Sequence, residues 1–413
     1  MNWFNYKDGT LYAEDIRLAD LAEQYGTPLF VYSKATLTRH IHTIDGAFDG
    51  IDHLTCYSVK VNANGAILRI IAEHGLGADI VSGGELFRAL RAGIPASRIV
   101  YSGVGKTEDE IRYALKTGIL MFNVESEAEL YTINRIAGEM KTVAPVAFRI
   151  NPDVDPKTHP YIATGLKTNK FGIPHHEALR IYRDAARMPN INVIGIDAHI
   201  GSQLIDMTPY RETAELLSGL IEEVRDAGID VRMVDIGGGL GIQYHDENPP
   251  EPADWAQMVG PIIKKTGCTL IIEPGRSMVG NACVLVTKVL YTKKNEDKTF
   301  IIVDAGMNDI IRPSLYGSYH RVVPLTEKKT ERRVVDVVGP ICESGDFIAR
   351  GREMYMPAEG DYLAVLSAGA YVMSMASNYN SRLRAPEVLV DRDMATLVTR
   401  RETLEDLVAR EIR

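Results

Sequence analysis

Short apolar runs that end abruptly in polar or glycine residues recur along the first two thirds of the chain. Between them lie segments such as GELFRALRAG and SEAELYTINRIAGEM, whose apolar residues follow the i, i+3, i+4 spacing of a helix. The eight runs end near Lys60, Ser82, Gly103, Glu125, Asn151, His199, Gly237 and Glu273. Alternation of strands and helices implies parallel strands, and eight units predict a closed (β/α)8 barrel of the TIM type. An open doubly wound sheet is the alternative, but it usually has fewer strands.

The pattern changes after about residue 282. The stretch ACVLVTKVLYTKKNEDKTFIIVDAG predicts two strands joined by a polar turn, and short strands with Gly or Pro between them follow. These features predict a second, mostly antiparallel β domain. We expect the barrel to cover residues 33–281 and the β domain to combine residues 1–32 with residues 282–413.

Composition narrows the class of protein. The chain has 413 residues, 45% of them hydrophobic, and a net charge of −9, which argues against nucleic acid or an anionic membrane as the main partner. Four scattered cysteines without a CxxC pair fit a reducing compartment and offer no zinc site. The N-terminus MNWFNYKDGTLYAED lacks the basic and apolar regions of a signal peptide, and no apolar run is long enough to span a membrane. A cytoplasmic protein with a small-molecule partner and no metal is therefore expected.

Chemistry in a (β/α)8 enzyme sits at the carboxyl ends of the strands, and unusual residues lie there in this sequence. Lys60 in YSVKVN ends the first strand, where a desolvated amine can attack a carbonyl, although most lysines are solvated surface residues. His199 in DAHIGSQ ends the sixth strand, and a lone histidine is more often a packing residue than a catalyst. The run Gly237, Gly238 and Gly239 after strand seven is either a tight turn or a nest of N–H groups for a phosphate.

The eighth strand ends in the motif EPGRS, which holds Glu273, Gly275 and Arg276. An amine, a phosphate nest and a carboxylate at neighbouring strand ends suit pyridoxal 5′-phosphate (PLP). Lys60 would hold the cofactor aldehyde as a Schiff base, the glycines its phosphate, and Glu273 its protonated ring nitrogen, while His199 stacks on the ring. Arg276 would bind a substrate carboxylate with its planar fork.

Eight motifs run through almost the whole chain in one order: YSVKVN, NPDVDPKTHPYIATGLKTNKFG, HIGSQ, DIGGGLG, EPGRS, RPSLYGSYH, CESGD and GAYVMSMASNYNSR. With these motifs the sequence resembles the diaminopimelate decarboxylases of the alanine-racemase-like class of PLP enzymes. The resemblance implies removal of the D-centre carboxylate of meso-diaminopimelate, giving L-lysine and CO2 in the last step of lysine biosynthesis. It also implies a homodimer with active sites shared across the subunit interface.

The resemblance assigns further roles by position. It implies that Ser202, Gly275, Arg276 and Tyr371 join the cofactor contacts. It also implies that Arg312 and Tyr316 bind the distal end of the substrate together with Arg276 and Tyr371. Cys342 and Glu343 of CESGD would be a proton donor and a contact to the distal amino group, delivered from the partner subunit. Without the resemblance, Cys342 would be read as a small buried hydrophobe, and Arg312 and Tyr316 as an ordinary surface pair.

Three other functions share this fold and cofactor. A decarboxylase of ornithine, lysine or arginine acts on substrates without a distal carboxylate, and such enzymes tend to carry Asp where this chain has Glu343. An alanine racemase needs a second base and does not need CESGD. A non-catalytic PLP-binding homologue would lose Lys60 or Cys342, and this chain retains both.

Overall fold

The computed structural model describes residues 2–154, 164–165 and 169–412. The chain divides into two compact units. The first unit contains the residues up to His40, the short segment Gln243–Glu247 and the residues from Met278 onwards. The second unit contains Ile41–Ile242 and Asn248–Ser277. Positions 155–163 and 166–168, which belong to the motif NPDVDPKTHPYIATGLKTNKFG, lie outside the described residues.

The N-terminal segment forms a small antiparallel sheet, a short helix and a buried strand. Its elements are β1 (Phe4–Lys7), β2 (Thr10–Ala13), β3 (Ile16–Arg17), α1 (Leu18–Tyr25), β4 (Leu29–Ser33) and α2 (Lys34–Gly46). All five residues of β4 are buried, and the strand lies inside the large sheet of the first unit. The division between the two units falls inside α2, after His40.

The second unit is built around a closed barrel of eight parallel strands, which confirms the predicted fold class. The strands are β5 (His53–Ser58), β6 (Gly77–Ile80), β7 (Ile99–Tyr101), β8 (Met121–Val124), β9 (Ala144–Asn151), β11 (Ile191–Asp197), β12 (Met233–Asp235) and β13 (Thr269–Ile272). The barrel closes where β13 pairs with β5. A two-residue strand, β10 (Ile173–Pro174), pairs with the end of β9 and was not expected from the sequence, because it is too short to show alternation.

Helices follow the barrel strands on their outer side in the chain order of a (β/α)8 fold. They are α3 (Gly65–Glu73), α4 (Gly83–Ala92), α5 (Glu108–Thr117), α6 (Glu127–Glu139), α7 (Ala178–Ala185), α8 (Thr208–Asp226), α9 (Pro252–Thr266) and the single turn α10 (Arg276–Val279). The two helices predicted from GELFRALRAG and SEAELYTINRIAGEM correspond to α4 and α6. Within the described part of the chain, no helix has the length and apolar character needed to cross a membrane.

Along each barrel strand, the inward side chains change from apolar to polar near the carboxyl end. Residues that include Cys56, Val100, Met121, Ala147 and Ile271 form one buried apolar cluster. Because side chains of a strand alternate between its two faces, the residue two positions further on points the same way. That residue is polar in each case, and together with corresponding residues of the other strands these form the polar layer: Ser58, Asp79, Ser102, Asn123, Arg149, Asp197, Asp235 and Glu273. The polar layer therefore lies at the carboxyl ends of the strands.

Glutamates in the first turns of three helices fix the loops at this end of the barrel. Ser82, Thr107 and Ser126 cap α4, α5 and α6, each accepting a bond from the backbone N–H three residues later. The glutamates at those third positions then reach back to loop backbone. Glu110 accepts from the Gly83 N–H at 2.8 Å, and Glu129 accepts from the Glu125 N–H at 3.0 Å. Glu110 thus holds the start of α4 against α5, and Glu129 holds the loop after β8 against α6.

The C-terminal part of the first unit is mostly antiparallel, as predicted. Its elements are β14 (Cys283–Asn295), β15 (Lys298–Val303), α11 (Arg312–Tyr316), β16 (Val322–Pro324), β17 (Arg332–Val338), β18 (Phe347–Tyr355), β19 (Tyr362–Val365), β20 (Glu387–Asp391), β21 (Met394–Thr399) and α12 (Leu404–Val408). The main path of the sheet runs β18-β17-β15-β14-β4-β20-β21, so the long strand β14 pairs directly with β4 from the N-terminus. Only β15–β17 and β4–β20 are parallel among the strand pairs of this unit in the described residues.

Candidate active site

Lys60 lies just beyond the end of β5, in a turn that covers Val59–Val61. Its ammonium group forms an ion pair with Asp79, a fully buried carboxylate at the end of the neighbouring strand β6. The side chain of Lys60 is 31% exposed, so it is neither fully buried nor fully solvated. The predicted nucleophile is therefore present at the expected strand end, held by a buried anion.

The polar layer carries more buried acids than cations. Arg149 pairs with Glu125 at 2.7 Å, and both side chains are almost completely buried. Burial raises the pKa of Asp197 and of Asp235 well above the usual range, and the negative charge of Glu273 acts in the same direction. Burial, with a contribution from the charge of Asp79, raises the pKa of Glu273 to about 7. A cation placed against Glu273 would reverse this effect, because it stabilises the ionised carboxylate.

Hydrogen bonds link neighbouring members of the polar layer. Ser58 donates to Asp79 at 3.0 Å, and the Asn123 amide donates to Ser102 at 3.1 Å and to Asp235 at 3.2 Å. Ser102 in turn approaches the Glu273 carboxylate at 3.4 Å. These contacts leave one oxygen each of Asp79 and Asp197 without a hydrogen-bond partner within the described residues. Such unsatisfied buried acceptors suit a ligand that brings its own donors or positive charge.

The three glycines after β12 lie so close to neighbouring atoms that they leave no room for a side chain. A Cβ on Gly238 would stand 2.0 Å from the carbonyl oxygen of Glu273, and one on Gly239 would stand 2.3 Å from that of Gly201. Gly237 and Gly239 also have positive φ values of 67° and 101°, which favour glycine. The Tyr210 hydroxyl donates to the Gly238 carbonyl at 2.9 Å and fixes the loop further. The glycine loop is therefore a rigid cradle of bare backbone.

His199 follows β11 and is anchored to this cradle. The Gly238 N–H donates to its Nδ1 at 3.2 Å, so Nδ1 is an acceptor and the ring proton lies on Nε2. Burial lowers the pKa of His199 well below the usual range, and the charges of Arg149 and Lys60 act in the same direction. A neutral imidazole held in one orientation can stack on an aromatic cofactor ring.

Arg276 begins the short helix α10 and is buried. It donates to the hydroxyl of Ser202 through Nη2 at 3.0 Å and through Nε at 3.3 Å. Gly275 packs so closely that a Cβ would stand 2.4 Å from Cγ2 of Val61, next to Lys60 in the chain. The EPGRS motif is thus held against the turn that carries the amine.

The remaining predicted residues belong to the first unit. Arg312 is buried at the start of α11, and Tyr316 ends that helix half-buried. The hydroxyl of Ser314 on α11 donates to the carbonyl of Gly345 in the CESGD loop, so these two motifs are fixed to each other.

The CESGD loop exposes its first residues. Cys342 is a free, exposed thiol whose backbone N–H donates to Asn380 at 2.8 Å. Glu343 is exposed and accepts a hydrogen bond from the Tyr379 hydroxyl at 2.8 Å. The exposure of this thiol contradicts the alternative prediction that Cys342 is a small buried hydrophobic residue.

Tyr371 lies in a constrained turn of the first unit. Its φ of 57° is unusual for a bulky residue, and such strain concentrates at functional positions. Gly369, two positions earlier in the chain, packs so closely that a Cβ would stand 1.8 Å from the carbonyl oxygen of Val279.

The residues of the second unit fit PLP. The amine of Lys60 can bond the aldehyde, the cradle of Gly237–Gly239 offers backbone to a phosphate, and the acid-rich polar layer favours a protonated ring nitrogen beside Glu273. The roles of Asp79 and of the pair formed by Arg149 and Glu125 were not predicted from the sequence. Each ends an apolar strand, and a charged residue at that place was the signal that could have identified it.

Comparisons with known proteins agree with this chemistry. A family model described as "Pyridoxal-dependent decarboxylase, pyridoxal binding domain" matches residues 34–280. The chain is 51% identical to a diaminopimelate decarboxylase of Haemophilus influenzae over 413 residues, which cover 100% of this chain and 99% of that protein.

Two solved structures are also similar over nearly the whole chain. The diaminopimelate decarboxylase of Helicobacter pylori, complexed with L-lysine, is 42% identical with a TM-score of 0.92, covering 95% of this chain and 98% of that one. The diaminopimelate decarboxylase of M. jannaschii, in co-complex with L-lysine, is 40% identical with a TM-score of 0.95, covering 99% and 98%.

The close packing of Gly238 predicts that Gly238→Ala weakens cofactor binding. The added methyl would push the cradle away from Glu273, and such overpacking typically costs about 1–3 kcal/mol. We expect PLP affinity to fall about five- to a hundredfold in a titration followed by absorbance, since each ~1.4 kcal/mol is a factor of ten. Gly219→Ala is the matched control, because a Cβ at Gly219 on α8 meets nothing within 4 Å. Equal PLP affinity in the two variants would contradict the cradle.

The raised pKa of Glu273 predicts a pH-dependent stability of the cofactor-free protein. The folded state holds a proton on Glu273 that the unfolded chain releases, so this stabilisation is complete below about 4.5 and is lost as the pH rises through about 7. Glu273→Gln cannot ionise, and its free energy of unfolding should exceed that of wild type by up to about 3 kcal/mol near pH 8 but not near pH 5. Denaturant unfolding at both pH values measures this. The exposed Glu212→Gln serves as control, and parallel profiles for wild type and Glu273→Gln would refute the prediction.

Proposed function

Because the chain belongs to the diaminopimelate decarboxylase family, we propose that it removes the D-centre carboxylate of meso-diaminopimelate, giving L-lysine and CO2 in the last step of lysine biosynthesis. The observation that carries the proposal is the placement of Lys60. Its amine lies at a barrel strand end, paired with buried Asp79, in a unit that also holds the glycine cradle and buried Glu273. Membership of this family argues against the alternative functions: decarboxylation of ornithine, lysine or arginine, racemisation of alanine, and non-catalytic PLP binding.

The cofactor is PLP, and the residues of the second unit would hold it. Lys60 would bond its aldehyde, Ser202 and Gly237–Gly239 would line its phosphate, and His199 would cover one face of the ring. Glu273 would keep the ring nitrogen protonated, since the buried carboxylate gains a counter-charge when it ionises. When bound, the cofactor supplies an electron sink for the pair released as the carbon–carbon bond breaks.

The reaction exchanges one carboxylate for one proton. The D-centre carboxylate leaves as CO2, the electron pair of the broken bond stays behind, and a proton must reach the same carbon. We assign that proton to the thiol of Cys342, which is exposed at the CESGD loop and able to meet a partner subunit. A buried thiol could not reach a substrate held by another chain.

Selection of the D-centre follows from fixing the far end of the substrate. Meso-diaminopimelate carries an amino group and a carboxylate at its L-centre, and both survive in L-lysine. Arg276, Arg312, Tyr316 and Tyr371 would bind around that carboxylate and Glu343 would bind the amino group. Their binding energy serves to orient the bond that breaks. Two solved relatives were crystallised with L-lysine, a ligand with this same distal group.

We further propose a homodimer in which the CESGD loop of one subunit completes the site of the other. The exposure of Cys342 and Glu343 supports this arrangement. A cytoplasmic location is proposed on the four free cysteines, which match a reducing compartment.

Lys60→Ala should abolish turnover while the fold persists. Removal of the amine takes away the covalent attachment, so we expect CO2 release from meso-diaminopimelate to vanish and the visible absorbance of the cofactor to be lost on dialysis. The wild-type protein, incubated with PLP and meso-diaminopimelate, tests the function itself by CO2 and L-lysine production. A borohydride-reducible adduct on another lysine of the variant would show that the assignment is wrong.

Mixing two inactive variants tests the shared site. Lys60→Ala and Cys342→Ala each lose one essential group, but a hybrid dimer contains one site with both groups intact. After subunit exchange we expect up to about a quarter of wild-type activity per total site, because half of the dimers are hybrids and each has one intact site of two. Absence of any recovered activity in verified hybrids would place both residues in the same subunit's site.

A further inference from the structure

Two neutral side chains of the first unit hold the guanidinium of Arg312. Its Nη1 donates to the Tyr244 hydroxyl at 3.0 Å and to Nε2 of His320 at 3.0 Å. Each terminal nitrogen of a guanidinium carries two hydrogens, so these two acceptors account for both hydrogens of Nη1. Two bonds from one nitrogen of a planar group fix the plane as well as the position of that group.

The hydrogen bonds define the state of His320. A guanidinium can only donate, so Nε2 of His320 must be the acceptor and therefore carries no proton. The proton lies on Nδ1, which donates to the Leu366 carbonyl at 3.0 Å. The ring is fully buried and contacts Tyr244 edge-to-face, with centroids 5.3 Å apart. His320 is thus a neutral acceptor with one orientation.

The neighbours of Tyr244 and His320 in the chain form a second contact between a tyrosine and a histidine. His245 stacks on Tyr319 with centroids 4.0 Å apart and ring planes 6° from parallel. Arg352 covers Tyr319 at 3.4 Å from its centroid. The contacting pairs are therefore Tyr244 with His320 and His245 with Tyr319. Together they hold the loop after α11 against the segment Gln243–Glu247.

Local sequence explains why Arg312 and His320 face each other. Pro313 suits the first turn of α11, and Gly317 ends the helix in the left-handed conformation with φ 62°. The chain then turns back, and the Ser318 N–H donates to the carbonyl of Arg312 at 3.4 Å. This reversal returns His320 to the start of the helix.

We propose that His320 and Tyr244 are positioning residues that determine the specificity for a substrate with a distal carboxylate. Both acceptors are neutral, so they orient the guanidinium of Arg312 without cancelling its charge. A carboxylate acceptor in either place would compete with the carboxylate of the ligand. The inference rests on the proposed function, in which Arg312 binds the L-centre carboxylate.

A matched pair of ligands isolates this contact. L-lysine and pentane-1,5-diamine differ only in the carboxylate that Arg312 is proposed to bind. The measurement is the preference of the PLP-loaded enzyme for L-lysine over the diamine, obtained from competitive inhibition constants against meso-diaminopimelate and from calorimetry. Loss of the carboxylate contact lowers this preference, whereas a general defect weakens both ligands equally.

His320→Leu and Tyr244→Phe remove one acceptor each and should lower the preference for L-lysine about three- to tenfold. His320→Gln places an amide oxygen near the position of Nε2, so it should stay within about threefold of wild type. Tyr244→Phe keeps the ring and carries the test if His320→Leu fails to fold. Tyr182→Phe is the matched control: it also removes a buried hydroxyl, which donates to Gly195 at 2.8 Å in the barrel, and should leave the preference unchanged.

A double-mutant cycle separates positioning from a structural role. Arg312→Met should remove most of the preference, and His320→Leu should lower it no further in that background, because its effect passes through Arg312. Equal losses for both ligands in His320→Leu and Tyr244→Phe, or additive losses in the cycle, would overturn the inference while leaving the function intact. A wild-type enzyme that neither decarboxylates meso-diaminopimelate nor prefers L-lysine would overturn the proposed function, and the inference with it.

Discussion

Burial of acids at one end of the barrel is the constraint on which the site depends. Asp79, Asp197, Asp235 and Glu273 are almost completely buried; Lys60 pairs with Asp79, and Arg149 is already paired with Glu125, so Asp197, Asp235 and Glu273 have no ion pair of their own among the contacts described. Uncompensated carboxylates in such a place lower stability unless they take up protons or a cation arrives. A protonated cofactor ring is such a cation. The barrel therefore loses some stability when it is empty and regains it on loading, which links cofactor binding to folding.

The glycine cradle and the buried acids are structurally linked, because Glu273 contacts the cradle through its backbone and belongs to the polar layer through its side chain. Its N–H donates to the Gly237 carbonyl at 2.8 Å, and its own carbonyl oxygen lies 2.0 Å from the position that a Cβ of Gly238 would take. Its side chain meanwhile reaches Ser102 in the polar layer. A shift of Glu273 would move the phosphate cradle and the carboxylate together. Glycine at position 238 therefore preserves the position of the Glu273 carboxylate as well as the shape of the cradle.

The sequence predicted what is local and missed what depends on pairing across strands. Lys60, the glycines and EPGRS could be identified because each interrupts an apolar strand within a few residues, and the eight strands followed from the same interruptions. The partner of Lys60 could not be identified, since Asp79 lies nineteen positions away and only the parallel pairing of β5 with β6 brings the two residues together. His320 belongs to the motif RPSLYGSYH, but its role could be identified only from the fold, which places it against Arg312.

The three cations proposed to act in this enzyme are held in two different ways, and the difference follows their tasks. Lys60 is paired with a carboxylate, which suits an amine that must be kept in place yet exchange protons during attachment. Arg276 contacts the hydroxyl of Ser202, and Arg312 contacts a hydroxyl and a neutral imidazole. Groups that must attract an anionic substrate keep their charge when their supports are neutral dipoles. Replacing a neutral support by an acid would therefore damage recognition more than replacing it by another neutral acceptor of similar shape.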